Sequence, residues 1–576
     1  MKSLYVMLGI GLSTGALLAQ PNYTGASVTG QLILIRTVNV LQQSQLSPAT
    51  RLGPVVLEGK PDLPAKLQPP SALGPVTKIA LPVVPGLTVS SAFSGTGFNG
   101  LTHFDQRNSN HGNQFSIEPP NPSIAVGNGL VLEGVNNAIQ VYSASGSPLL
   151  PQAVSSNQVF GLPPAINRST GVRGPSLTDM RVFFDQGISR WFILQRSLDS
   201  DSFGNPLNGS HLYMAVSQTA DPTGTYNIYS MDTTNAANPG CPCLSDYPQI
   251  GADQYGFYVS SNEYSIAFSQ FVDVPILAIS KTSLAAGVTL PSTYRVIIRK
   301  SSGYEFTVHP ATTPPNANYF VGSNGLEYFV SSNQSAGNGL AVWALSNTSS
   351  LDTANPKPVL SLFIAPTLGY VAPDVATQRP GPLPYGATLK PPGLLAKIDG
   401  GDSRVQSVAY AGGRLYVTLG TLVVDETGHN FVGGAYVILS PTFRRGLSAF
   451  TLRQGYLRVS NNNLLRPAIA VNPQGQGAIV ATLVGPDYYP SAAFVPIDTF
   501  STSSTLQIAA PGVSPEDGFT GYPDNGFSTT GIARWGDYSA AVAGSDGSIW
   551  MTTEYIPNAP RTDFANWGTF LIRYTK

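Results

Sequence analysis

The segment Asn121–Tyr142, NPSIAVGNGLVLEGVNNAIQVY, holds three short apolar runs, Ser123–Val126, Leu130–Asn136 and Ile139–Tyr142, separated by Gly-Asn-Gly and Asn-Ala. Short runs rich in Val, Ile and Leu, punctuated by Gly and Asn, read as strands of an antiparallel meander. A looser copy of this unit returns about seven times along the chain. Units that recur in this way cannot each bury an apolar face alone, so they must stack on one another.

The later copies are Arg181–Asp185 with Arg190–Leu194, Asp246–Gly251 with Gly256–Asn262, and Asn318–Val321 with Glu327–Ser332. They continue as Arg404–Tyr410 with Arg414–Leu419, Arg466–Val471 with Ala478–Thr482, and Trp535–Val542 with Ser548–Thr553. The anchors Pro122, Pro175, Pro248, Tyr319, Val405, Pro467 and Tyr538 are 53, 73, 71, 86, 62 and 71 residues apart. Those periods exceed the roughly 40–50 of compact propeller repeats, so the connecting loops must be long. Small residues such as Ser123, Ala125, Ala468, Ala470, Ser539 and Ala540 suit innermost strands crowded around an axis. A two-sheet sandwich also has many short strands, but not one strand-turn-strand order repeated throughout. The expectation is an all-β, seven-bladed β-propeller over residues 91–576, preceded by an extended Pro-rich segment. The alternating C-terminal run Trp567–Tyr574 is expected to complete the last blade, with Thr88–Phe93 as the joining N-terminal strand. Removing Thr569–Lys576 should then collapse solubility, and removing Gln20–Lys60 should leave the body folded.

Residues 1–19 read as a signal peptide, with Lys2 before the uncharged apolar run Leu4–Leu18 and Ala19 before the cut. Residues 20–90 read as a leader or linker, broken by Pro54, Pro61, Pro64, Pro69, Pro70, Pro75, Pro82 and Pro85; its one sustained apolar piece, Val28–Leu41, is able to lend a strand to the body. The mature chain is expected to be a secreted monomer, extracellular or periplasmic, without a membrane span. Thirty-one basic residues against 32 acidic ones give a net charge of −1 with no basic patch, which excludes nucleic acid as a partner. In an exported chain the two cysteines, Cys241 and Cys243, are a disulfide candidate that either pins a loop or, because one intervening residue makes a tight and more easily reduced ring, serves a redox role.

Metalloprotease, phosphate-loop and dinucleotide motifs are absent. Gly11–Gly15 matches a nucleophile elbow but lies within the signal segment. Asp199-Ser-Asp201 opens like a calcium loop, yet Phe203 at the fifth position and no Glu at the twelfth exclude an EF-hand, leaving only a looser calcium site or a solvated turn. Charged residues gather instead at the starts of the inner strands: Asp179, Arg181, Asp246, Asp402, Arg404, Arg466, Arg534 and Asp537. In a propeller those starts surround one end of the central channel. They either satisfy one another between blades or form a mixed-charge mouth for an anionic or hydroxyl-rich ligand, with arginines as bidentate donors. Trp191, Trp535 and Trp550 are expected to add platforms for a carbohydrate.

Gly127–Asn137, Arg181–Phe192, Asp246–Asn262, Asp399–Arg404 and Arg534–Tyr538 resemble secreted bacterial propeller proteins of unassigned activity, over residues 95–576. The resemblance implies a fold and no reaction. Ser545-Asp-Gly-Ser-Ile-Trp550 resembles a sialidase Asp box but lacks the residue between Asp and Gly. The sequence reading is therefore a secreted binding module without identifiable catalytic machinery, taking a carbohydrate or protein ligand. The alternative is a carbohydrate-active enzyme of sialidase or glycoside-hydrolase kind at the channel mouth, which needs either two carboxylates at catalytic separation or a Tyr–Glu pair beneath an arginine cluster, for which Tyr538 and Glu554 are available.

Overall fold

Seven antiparallel sheets succeed one another along the chain in the computed structural model, which describes residues 31–45, 79, 81, 83–320, 322–523 and 531–576. The expected signal segment and most of the leader prolines lie outside the described residues. Blade 1 consists of Ser123–Gly127, Leu130–Val135, Ala138–Ser143 and Val154–Ser155, in that order from the axis outwards. Its first hairpin turns at Asn128 and Gly129, with φ of +52° and +75°, the left-handed pair that matches strand twist. The inner strands of blades 2 to 7 are Ser176–Asp185, Cys243–Ala252, His309–Pro310, Val405–Ala411, Asn463–Val471 and Ala540–Ala543. Each packs on the next around a closed ring, and the last packs on the first. The molecule is a seven-bladed β-propeller.

The core is a set of layers between blades. Blades 4 and 5 share one centred on Val342, Val417 and Leu439, and blades 2 and 3 share another around Phe192 and Phe257, whose rings stack at 4.3 Å. Spacing in these layers is tight. A Cβ at Gly134 would meet the Met180 sulfur at 2.5 Å, so blade 2 approaches blade 1 as closely as glycine permits.

Two sequence expectations need correction. The strand that joins the C-terminal segment is Thr96–Thr102, which pairs antiparallel with Gly568–Tyr574. Thr88–Phe93 does not join it, because Thr88–Ser90 lies parallel to Thr505–Ala510 on the outside of blade 6. In the fourth repeat, Glu327–Ser332 falls on the second strand, Leu326–Ser331, but Asn318–Val321 does not supply the inner strand. That strand is His309–Pro310, and Thr312 just beyond bridges Ala252 of blade 3 to Ala409 of blade 5. Two prolines nearby hid this strand, whereas Asn318 and Tyr319, with strand-like neighbours, lie in the loop that follows. From the leader, Ile33–Asn39 adds a fifth strand to blade 2 through Thr225–Asp232, burying Leu32 and Val40. The deletion Gln20–Lys60 therefore removes an ordered strand.

The seam between blades 7 and 1 holds an apolar cluster of five buried members, Ile124, Val131, Tyr142, Trp550 and Leu571. A polar clasp reinforces it. Glu133, fully buried on blade 1, accepts hydrogen bonds from the Leu101 amide at 3.0 Å, the Tyr142 hydroxyl at 3.0 Å and the Thr569 hydroxyl at 2.5 Å. One carboxyl thus holds the N-terminal and C-terminal strands of blade 7 against blade 1.

Replacing Glu133 by Ala leaves the buried Leu101 amide and Tyr142 hydroxyl without an acceptor, while the Thr569 hydroxyl keeps the Leu101 carbonyl, and should cost roughly 2–4 kcal/mol in denaturant titration. Deleting residues 568–576 removes a whole strand of blade 7 and should abolish the cooperative melt. A Glu133→Ala protein as stable as the parent, or a deletion that melts normally, would refute the clasp.

Candidate functional site

Irregular backbone at the start of the inner strands builds the site. Pairing with the second strand slips between Thr178 and Arg181 in blade 2, Asp246 and Gln249 in blade 3, Val405 and Ser407 in blade 5, and Leu465 and Ala468 in blade 6. Asp179, Tyr247 and Arg466 sit within these bulges at φ of +59°, +53° and +52°. Non-glycine residues pay for such conformations with strain that the surroundings must hold, and bulges re-aim side chains. The repetition at one level of the ring turns polar groups towards the axis.

Two tyrosines cross the channel there. Tyr247 of blade 3 donates to the Asp537 carbonyl at 3.1 Å, and Tyr538 of blade 7 donates to the Met180 carbonyl of blade 2 at 3.1 Å. Their rings meet edge to face at 5.5 Å. The Arg181 guanidinium lies 3.3 Å from the Tyr538 ring centre and gives its Nε proton to the Pro248 carbonyl. Arg404 lies 4.5 Å from the Tyr247 ring and 5.0 Å from that of Phe306. Alternating tyrosine and guanidinium planes therefore plug the throat, an arrangement favoured by cation–π attraction in a desolvated setting.

Around this plug the carboxylates are arranged in pairs. Arg196 bridges Asp179 at 2.8 Å and Asp246 at 2.9 Å. Arg404 holds Asp402 through two parallel contacts of 2.8 and 2.6 Å. Asn121 donates to Asp179 and Asp537 at 3.1 and 2.7 Å and accepts the Asp537 amide at 2.7 Å. Arg466 donates to the Trp535 carbonyl and reaches Asp399 at 3.5 Å. The loop around it requires glycine, because a Cβ at Gly401 would fall 1.9 Å from the Arg466 guanidinium. All eight charged residues picked out in the sequence thus belong to one connected network. Arg196, Tyr247, Asn121 and Asp399 escaped that reading, although a lone arginine in the run Ile193-Leu-Gln-Arg196 was a visible signal.

The network grades from dry to wet. Arg181 and Arg466 are 7 % exposed, whereas the side chains of Arg534 and Asp399 are 44 % and 48 % exposed. Burial works against ionisation of Asp402 and Asp537, but the neighbouring guanidinium groups overcome it and hold both below the usual carboxylate range. Asp246 goes the other way: burial, then the charges of Asp179 and Asp537, push it up to about 6 despite Arg196. The pairs do satisfy one another, but incompletely. Arg181 Nη2 is buried and has no hydrogen-bond partner.

Two further expectations, the tryptophan platforms and the Tyr538–Glu554 pair, are corrected here. Trp191, Trp535 and Trp550 are buried inside the blades and present no platform. Tyr538 and Glu554 do not engage each other, since Tyr538 donates to Met180 and Glu554 accepts the Gly536 amide at 2.9 Å. The disulfide Cys241–Cys243 is formed. Of the calcium-like pair, Asp199 lies 2.9 Å from His211 Nδ1, and Asp201 accepts from Phe203 and Asn205 to close its own turn. A cavity of about 230 Å³ lies at the far end of the channel, beside Ala125, Phe184, Pro314 and Ala470. Its walls are mostly apolar and its nearest charged pair, Asp185 and Lys281 at 2.6 Å, is buried away from solvent, so the mouth is the better site.

No family model matches the chain, and no curated protein sequence matches it. Among solved structures it is similar to the phage phi92 endosialidase, at 10 % identity and a TM-score of 0.29 over 79 % of this chain and 67 % of that one. It is also similar to the sialidase of Trypanosoma rangeli in complex with sialic acid, at 10 % and 0.31 over 70 % of this chain and 58 % of that chain. A third is the GH43 endo-arabinanase of Bacillus licheniformis, at 13 % and 0.24 over 67 % and 92 %. Likeness at that level carries nothing about chemistry.

Beside the mouth, the buried carboxyls Glu118, Glu516 and Glu554 crowd near Trp535. Burial and then neighbouring negative charge raise Glu516 and Glu554 well above the carboxylate range. Burial brings Glu118 to about 7, against its hydrogen bonds from Thr520, and Glu133 to about 7. A carboxyl whose folded pKa exceeds its unfolded value of 4.5 binds a proton on folding, so it favours the fold less as pH rises through that interval. Buried His103 and His309, lowered to about 3, act oppositely but only below their unfolded value of 6.5. The melting temperature should therefore rise as pH falls from 8 to 6.5. Circular dichroism melts will show this, and a fall over that interval would contradict the assignment.

Proposed function

We propose that this chain is an exported binding module that takes an acidic saccharide at the polar mouth of its propeller. One observation carries the reading: the Arg534 side chain, 44 % exposed, offers its guanidinium at the rim of a network in which the buried Arg181 Nη2 also lacks a partner. A planar guanidinium with free donors suits a carboxylate. The exposed carboxylate of Asp399 and the half-buried one of Asp537 suit hydroxyls on the same ligand. The absence of a Tyr538–Glu554 pair favours binding over turnover of the sialidase kind.

A glycoside hydrolase is the second reading, favoured by one observation. Asp246, raised to about 6, and ionised Asp537 occupy the same mouth, and carboxyls driven apart in pKa are what acid and base roles require. Export itself rests on the N-terminal sequence pattern.

Calorimetric titration with glucuronate, N-acetylneuraminate and glucose separates these readings. The acidic sugars should bind and glucose should not, and Arg534→Ala should weaken binding roughly tenfold, the loss of one charge-assisted hydrogen bond. Equal binding of glucose, or no binding of either acid, defeats the proposal. Hydrolysis of nitrophenyl glycosides that vanishes in Asp246→Asn would establish the hydrolase instead.

A further inference from the structure

The loop 233–242 carries blade 2 into the inner strand Cys243–Ala252 of blade 3, and Ala236, Ala237, Pro239 and Gly240 at its tip are exposed. Half-buried Cys241 is bonded there to buried Cys243 across a single proline. Glu263, on the second strand of blade 3, lies directly beneath. Its Oε2 is 3.8 Å from Cys241 Sγ and accepts from Asn235 at 3.0 Å, and its Oε1 accepts from Arg295 at 2.7 Å. Reactive atoms of Cys241, Cys243 and Glu263 all fall within 4.8 Å of one another.

Asp273 stands opposite Glu263 on the adjoining strand and is 2 % exposed. Asn238 donates to its Oδ2 at 2.7 Å, and no donor reaches its Oδ1. Buried Arg295 balances one negative charge, and exposed Arg299 flanks the outer end of Asp273. Two carboxyls in contact beside one buried cation cannot both ionise, so they hold a proton between them. Burial and the Asp273 charge push Glu263 up to about 8. The binding chemistry of the mouth makes no use of this group.

We infer that Cys241–Cys243 is a redox-active disulfide that exchanges with an external dithiol, with Glu263 and Asp273 supplying and recovering the proton. The thiolate of the dithiol attacks Cys241, the reachable sulfur. A new sulfur–sulfur bond forms as the Cys241–Cys243 bond breaks, and the electron pair leaves on Cys243, which takes the shared proton. The second thiol of the reductant then returns a proton to the carboxyl pair and attacks its own sulfur in the mixed disulfide. Cys241 departs as thiolate and is protonated from water. The dithiol is oxidised to its disulfide and the protein gains two thiols. A one-residue ring and an adjacent proton source both favour exchange, since the leaving thiolate governs the rate. This inference does not depend on the ligand proposed for the mouth.

The test reduces the full chain with dithiothreitol in the absence of denaturant, trapping thiols by alkylation and counting them by mass. Native protein should be reduced, and the rate per unit of reductant thiolate should fall above about pH 8, where Glu263 loses its proton. Glu263→Gln should lower the rate roughly a hundredfold, the low end of general-acid assistance, and flatten the profile. If near-ultraviolet dichroism shows that variant misfolded, Asp273→Asn decides: removing the negative charge should move the break to lower pH. Reduction only in denaturant, an unchanged rate and profile in Glu263→Gln, or an unmoved break in Asp273→Asn would overturn the inference.

Discussion

Closure of the ring constrains everything else in this molecule. Each blade buries its faces only against its neighbours, so an open seam would expose Ile124, Val131 and Leu571 along with the free backbone of an edge strand. The protein meets this with Thr96–Thr102, hydrogen-bonded to Gly568–Tyr574, and with Glu133 beneath both. A buried carboxyl with three donors there adds directional bonds to the apolar packing of the seam. Distant parts of the chain, more than 400 residues apart in sequence, are joined at that point.

The same ring geometry makes the mouth. Seven strand starts converge on one axis, and bulges at Asp179, Tyr247 and Arg466 bring side chains across it. Desolvation would forbid five arginines and five aspartates there unless they balanced. They do so through Arg196 between Asp179 and Asp246, the forked Arg404–Asp402 pair, and Asn121 between two carboxylates. Tyr247 and Tyr538 lend their ring faces to Arg404 and Arg181, which stabilises the cations without consuming hydrogen-bond donors. That is why Arg181 can be both buried and unspent.

Much of this was legible beforehand. The strand-turn-strand recurrence announced the propeller, and the charges at the inner-strand starts announced the network. Propensity failed where tertiary pairing overrode it. His309–Pro310 is a strand because it pairs with Val330 and Phe329, with Thr312 beside it bridged to Ala252 and Ala409 in two other blades, and nothing local marks it. Thr96–Thr102, rich in glycine and threonine, reads as loop until its partner Gly568–Tyr574 is known. The tryptophans were read as platforms because their position in the units was visible and their burial was not. Arg196 was missed because a charge on a second strand has no meaning until the neighbouring blade brings Asp246 to it.

By itself, then, the sequence determined the blade, its number and the level at which charge is concentrated, because these follow from local periodicity and from where polar residues interrupt apolar runs. Only the tertiary structure decided which strand closes the ring, which carboxylates share an arginine, and that Tyr538 faces Arg181 and not Glu554. It also set the burial that raises Asp246 and separates the wet rim from the dry throat. Those are relations between residues far apart in the chain, and local sequence carries no record of the distances that create them.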